Sequence, residues 1–382
     1  MSHLIRSLRI PILAIVLLLS RCLGDSLAQE LDVWIGTGGK PSQGIYHSIL
    51  DTTSGKISES KLVAEMNGPG FLAMHPKLPV LYAVGGLSSE QVVASFQIVQ
   101  TGKNASLKFV SSQPIGDGGA THLSVSSNGK TLITAQYGGG SVAVFALADD
   151  GAVSKRTQLI KHSGGSKAVP GRQDSSHAHW AGFSPDQKFA FVPDLGLDQV
   201  VIYRADTATA TLTAHGFGQT AAGAGPRHMK FHNNGKWIYV LNELDYTVSL
   251  FDWDSQAGTM SLRQTVPTIA KDELDRLQFK SCSEIRVHPN GKFVYAANRG
   301  HDSITVFQVA EDGKLSSIQV EPVRGATPRN FNLDPTGKWL LAGGQDSHTL
   351  ACFVVDESTG RITYNRSIIS TPSPICVLFK PE

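Results

Sequence analysis

Charge is scarce in this sequence. Asp, Glu, Lys and Arg make up 17% of the residues, and no block of like charge interrupts the chain. The 34 basic and 32 acidic residues nearly cancel, which leaves no basic stripe to hold nucleic acid by its phosphates. Cysteine is scarcer still: Cys22, Cys282, Cys352 and Cys376 stand far apart with no CxxC spacing, so neither a zinc site nor a redox dithiol is encoded. The last three read most simply as small buried hydrophobes. Helical periodicity of any length is missing, which sets a helical solenoid aside.

A long apolar run occurs at the start. Ile10 to Leu19 follows Arg6 and Arg9 and precedes Ser26-Leu27-Ala28, the small-residue pattern a signal peptidase reads. The run is too short to span a bilayer, so residues 1–28 read as a secretory signal peptide and residues 29–382 as the mature chain. An arginine directly before Cys22 argues against lipidation of that cysteine. Cleavage after Ala28 removes Arg6, Arg9, Arg21 and Asp25 and brings the two signs into balance. The expectation is an exported protein, periplasmic or secreted, with no membrane span in the mature chain.

Glycine, by contrast, is plentiful at 38 residues, and much of it falls in a repeat. His288-Pro289-Asn290-Gly291-Lys292 leads into Phe293-Val294-Tyr295-Ala296-Ala297-Asn298, and a near copy runs from His232 to Asn242. Weaker copies centre on Leu78, Gly129, Gln187 and Gly337, at spacings of roughly 50 residues. Each has a short apolar strand, a turn rich in Asn or Asp and Gly, and alternating strands after it, which makes a four-stranded propeller blade. Six copies are visible, the one at His75-Pro76 degenerate. A seventh is split: Pro374 to Phe379 matches an opening strand, while Val33 to Gly36 and Gly44 to Tyr46 match the strands that should follow. Pairing them would cover an exposed sheet edge. The fold class is therefore all-β, one seven-bladed β-propeller domain with the last blade closed by both termini.

The repeat also marks where chemistry can sit. In each blade the residue that opens the first strand and the residue that closes the second lie at the same end of the molecule. The opening positions read Gly70, Thr121, His179, Arg227, Ser283, Arg329 and Ile375; the closing ones read Gly38, Gly86, Tyr137, Leu195, Glu243, Arg299 and Gln345. A structural repeat needs no charge there, yet His179, Arg227, Glu243, Arg299, Arg329 and Gln345 occupy blades 3 to 6. Arginines offer planar forks for an anion or an oxyanion, and Glu243 or His179 could move a proton. Arg227 and Glu243 could also pair across their hairpin simply to hold a blade. His177, two residues before His179, and His228, after Arg227, are further contacts or supports. Two histidines without a third ligand do not define a metal site, so neither metal nor cofactor is expected. The segment from Ser163 to Arg172 reads as a lid or a plain loop, and Lys271 to Lys280 as a short solvated helix on a blade connection.

Gly225-Pro226-Arg227-His228-Met229 with Asn242-Glu243-Leu244 resembles the lactonase family of seven-bladed propellers, as do Asn298-Arg299-Gly300 and Thr327-Pro328-Arg329-Asn330-Phe331. That family includes bacterial propeller-type 6-phosphogluconolactonases and the fungal carboxy-cis,cis-muconate cyclase. The resemblance covers the mature chain and implies His179, Arg227, Glu243 and Arg299 as catalytic residues; Arg329, Gln345, His177 and His228 are read from their positions as binding substrate. It implies a small lactone or related anion as substrate, opened by hydrolysis. A muconate-type cyclase and a non-catalytic ligand-binding propeller are the alternatives. The export signal departs from the cytoplasmic phosphogluconolactonases and leaves the phosphorylated substrate in question.

Overall fold

The turn at the foot of each blade fixes the repeat. Gly129, Gly235, Gly291 and Gly337 all take positive φ, between 69° and 79°, where a Cβ would be penalised. In blade 3 the same place is held by Gln187 at φ 61°, a left-handed conformation that costs a side chain roughly 1–2 kcal/mol. Its amide compensates, donating to Ser184 O at 3.0 Å and accepting from Ser127 N of the preceding blade at 2.9 Å.

The structure, a computed structural model, describes residues 30–380. These form seven antiparallel four-stranded sheets. Blade 1 spans 67–114, blade 2 120–161, blade 3 182–219, blade 4 226–267, blade 5 281–322 and blade 6 328–370. Blade 7 joins the chain ends: Pro374–Phe379 is its innermost strand and pairs with Glu30–Thr37, with Val33 opposite Phe379 and Ile35 opposite Val377. The composite blade is therefore as the repeat required. The signal-peptide reading of residues 1–28 falls outside the described residues.

Seven apolar clusters fill the spaces between neighbouring blades. Between blades 5 and 6, Phe293 and Tyr295 meet Phe331, Leu340 and Phe353, all buried. Each such large side chain stabilises the ring by about 1.5–3 kcal/mol on burial. Polar stitches run the same way around the foot of the ring. His75, His232 and His288 each donate from Nε2 to the turn-glycine carbonyl of the next blade, at 3.2, 2.8 and 3.1 Å. The repeat histidines are thus structural. The described cysteines, Cys282, Cys352 and Cys376, are free and buried among the strands.

Lys271–Arg276 forms the expected short helix on the connection between blades 4 and 5. No described helix is long and apolar enough to cross a membrane.

Candidate active site

Pairing register carries the opening and closing residues to one end of the ring. Pro226 pairs with Asn242, Ser281 with Arg299, and Pro328 with Gly344, so Arg227, Glu243, Arg299 and Arg329 emerge together. The backbone around them is tightly set. Gly225, at φ 65°, donates to Asp198 Oδ1 at 2.8 Å, and a Cβ there would strike Leu244 at 2.7 Å. Thr327 repeats the arrangement in blade 6, donating to Asp302 Oδ1 at 2.8 Å, and so aims Arg329 as Gly225 aims Arg227. Asn242 and Asn298 end their strands as braces: their amides reach Thr247 and Ser249, and Ser303 and Thr305, at 2.8–3.0 Å.

Two adjoining cavities result. The inner one, 120 Å³, is lined by Gly70, Phe71, Thr121, His179, Arg227, His228, Arg329 and Ile375, among others. These belong to the starts of innermost strands in six blades, which puts the cavity on the ring axis. The outer one, 280 Å³, shares Thr121, His179 and Arg329 and adds Tyr137, Arg172, Glu243, Phe279, Ser281 and Arg299. Larger clefts of 450 and 560 Å³ lie at the rim of the blades, where lysines and glutamates such as Lys56, Glu59 and Glu357 stay exposed.

Glu243 is the centre of the charged network. Arg227 Nε donates to its Oε2 at 2.9 Å and Nη1 to Ser283 O. Arg299 Nη2 stands 3.4 Å from the same Oε2 and donates to Ser281 Oγ and, at 3.2 Å, to Cys282 O. Arg172 Nη2 donates to Oε1 at 2.6 Å and lies 3.4 Å from the Tyr137 hydroxyl. Burial alone would raise the Glu243 carboxyl, but the Arg299 and Arg227 charges, with the Arg172 hydrogen bond, hold it far below the usual carboxylate range. The Arg329 side chain has no hydrogen-bond or ion-pair partner among the described residues. Burial, then repulsion from Arg299, lowers its guanidinium to about 10, so it remains a cation at neutral pH. Burial, followed by the Arg227 charge, drives His179 well below its usual value, so the imidazole is neutral; its Nδ1 is buried and unpartnered.

Four guanidiniums thus line these cavities against one carboxylate. Two close charges in a partly dry site interact by about 4 kcal/mol, so the excess of positive charge makes this a place for an anion.

The remaining sequence candidates sit around this centre. His228 lines the inner cavity, its Nδ1 3.3 Å from Glu284 and its Nε2 unpartnered. His177 lines neither cavity; it stacks on the Tyr137 ring at 4.4 Å and donates to Tyr137 O at 2.8 Å, supporting a wall. Gln345 is also absent from both linings, and its Oε1 is buried without a partner. Arg172 and Phe279 were missed as site residues. Both come from connections rather than strands, so the repeat offered no register for them. Arg172 ends the stretch from Ser163, which is no free flap: the buried Gln173 amide holds it to Leu195 O at 2.8 Å and Asp198 Oδ1 at 2.6 Å. Phe279 follows the short helix and lies 5.8 Å from the Arg299 guanidinium.

The profile of the family described as lactonase, 7-bladed beta-propeller, matches residues 32–379. The chain belongs to the lactonase family. Within it, a 6-phosphogluconolactonase of Bacillus subtilis is 36% identical over 348 residues, 91% of this chain and 97% of that one. A 6-phosphogluconolactonase of Formosa agariphila is 31% identical, covering 85% of this chain and 92% of its own. Among solved structures, the Pseudomonas aeruginosa periplasmic gluconolactonase PpgL superposes with a TM-score of 0.84 at 28% identity, covering 92% of this chain and 99% of that one.

Proposed function

We propose that this chain hydrolyses a sugar or related lactone in the paired cavities on the ring axis. The observation that carries the reading is the four-to-one excess of guanidinium over carboxylate in a lactonase-family propeller. Hydrolysis adds water to the lactone carbonyl, places negative charge on its oxygen, and releases a hydroxy acid. Arginines meet both demands: they stabilise the developing oxyanion and hold the anionic product. Glu243 is ionised and His179 neutral, so both are in the proton-accepting form. Glu243 takes the proton of the attacking water while His179 orients that water, and the proton returns to the ring oxygen as the C–O bond breaks. Arg227 and Arg299 position Glu243, and Arg329, unpaired, is free to meet the substrate.

Residues 1–28 direct export, which favours an unphosphorylated lactone. A periplasmic gluconolactonase among the relatives agrees with that. The test is a titration with purified 29–382 that follows proton release on glucono-1,5-lactone and on its 6-phosphate, and proton uptake on carboxymuconate. Hydrolysis of a lactone is the expected result. Turnover of carboxymuconate alone would make the protein a cyclase, and turnover of none would make it a binding propeller.

A further inference from the structure

The three arginines that hold Glu243 are not equivalent. The Arg227 and Arg299 side chains are 2% and 7% exposed, and each also donates to a backbone carbonyl, Ser283 O or Cys282 O. Pulling either away would strand a buried cation and orphan a carbonyl. The Arg172 side chain is 36% exposed, comes from a connection between blades, and bonds no carbonyl; beyond Glu243 it meets the Tyr137 hydroxyl at 3.4 Å. It can turn toward the outer cavity with its charge still in water. Nothing else needs to move, because the neighbouring Gln173 is buried and anchored.

Resting on the lactonase reading, we propose that Arg172 is a specificity-determining residue: an anionic substituent on the lactone draws its guanidinium off Glu243 Oε1 and so frees that carboxylate to accept the water's proton. A base gripped by three guanidiniums is a poor proton acceptor, and loss of the one exchangeable clamp restores part of its basicity. A neutral lactone offers Arg172 nothing and leaves the clamp in place. The preferred substrate class is therefore a lactone with a negatively charged arm, carboxylate or phosphate. Other groups facing Glu243 are Arg227, Arg299, Arg329, His179, the Tyr137 hydroxyl and the Cys282 thiol; of these only Arg227 and Arg299 pair with it, and both are also tied to a carbonyl.

The experiment compares wild type, Arg172→Gln and Arg172→Lys on glucono-1,5-lactone, its 6-phosphate and glucaro-1,4-lactone, with folding checked by thermal melts. For the two anionic lactones, Arg172→Gln should lower kcat/KM tenfold or more, because the contact to the anionic arm is lost, while kcat on the neutral lactone should rise, because the clamp on Glu243 is gone; Arg172→Lys should recover part of the loss. Which anionic lactone is favoured tells carboxylate from phosphate. In wild type the acid limb of kcat should lie at higher pH than that of kcat/KM for anionic lactones only, and the limbs should coincide in Arg172→Gln. An equal fall on neutral and anionic lactones, or no fall, overturns the proposal. Should wild type hydrolyse none of the three, the lactonase reading fails, and calorimetry decides this one separately. A wild-type preference for 6-phosphogluconate or glucarate over gluconate that vanishes in Arg172→Gln supports it; an unchanged preference overturns it.

Discussion

Blades 3 to 6 and blades 7, 1 and 2 are copies of one sheet, yet their innermost strands open on different chemistry. On one side stand His179, Arg227, Ser283 and Arg329; on the other Ile375, Gly70 and Thr121. Packing explains why both are tolerated. The apolar clusters lie between blades, so the core asks nothing of a residue facing the axis. Half the rim is free to gather charge while the opposite half stays small and apolar, giving the inner cavity one wall of guanidiniums and one of Phe71 and Ile375.

The sharpest way to break this contrast is to remove the anion of the charged half. Glu243→Gln should lower kcat on whichever lactone is turned over about a thousandfold, since the amide accepts no proton. It should also cost about 3–5 kcal/mol in urea unfolding, because buried guanidiniums lose their counter-charge. Full activity in that variant would remove Glu243 from the chemistry.

A smaller effect separates two arginines of the same half. Arg227→Lys gives up the fork that spans Glu243 and Ser283 O, so both stability, by about 2–3 kcal/mol, and kcat/KM should fall. Arg329 pairs with nothing, so Arg329→Gln should leave stability within about 1 kcal/mol and raise KM about tenfold. Denaturation midpoints that rank the two the other way would show that Arg329 is the structural one.

Acidity tests both halves together. Burial, ahead of nearby cations or other histidines, keeps His122 on the apolar side and His179 and His228 on the charged side well below the ordinary imidazole value of 6.5. The native state then binds fewer protons than the unfolded chain, so stability is complete above pH 6.5 and falls as pH drops below it, by up to about 1.4 kcal/mol per pH unit for each histidine. The depressed Glu243 adds nothing in that window, since its contribution is lost only below its unfolded value of 4.5. Urea midpoints at pH 7.5 and 5.5 measure the slope. His122→Gln and His228→Gln should flatten it equally, whereas flattening by His228→Gln alone would confine the effect to the charged half.

The least effect is expected at Gly70, on the apolar wall. Its φ is ordinary, and an added Cβ would meet only Ile375 Cδ1 at 3.5 Å and Gly68 O at 3.7 Å. Gly70→Ala should change stability by less than about 1 kcal/mol and kcat/KM by less than threefold. A large loss of activity would mean that substrate presses on this wall too.

The composite blade was legible in the sequence because Pro374 to Phe379 and Val33 to Gly36 each carry a fragment of one pattern, and period-two strands fix which face is buried. The charged residues of blades 3 to 6 were legible for the same reason: a repeat reports its own exceptions. Arg172 and Phe279 were not, since they sit on connections of irregular length, where no periodicity links a sequence position to a place in space. His177 was legible as a neighbour of His179 but not as the support of Tyr137, whose strand lies in another blade.

By itself, then, the sequence determined the number of blades, the way the ring closes and which end of the strands gathers charge, because local turn chemistry and strand alternation act over a few residues and recur seven times. Tertiary structure alone decided that Arg299 and Arg172 join Arg227 on Glu243, that the Arg329 side chain is left without a partner, and that Arg172 arrives from a loop. Those are contacts between blades, set by how sheets pack around an axis, and no short-range pattern records them.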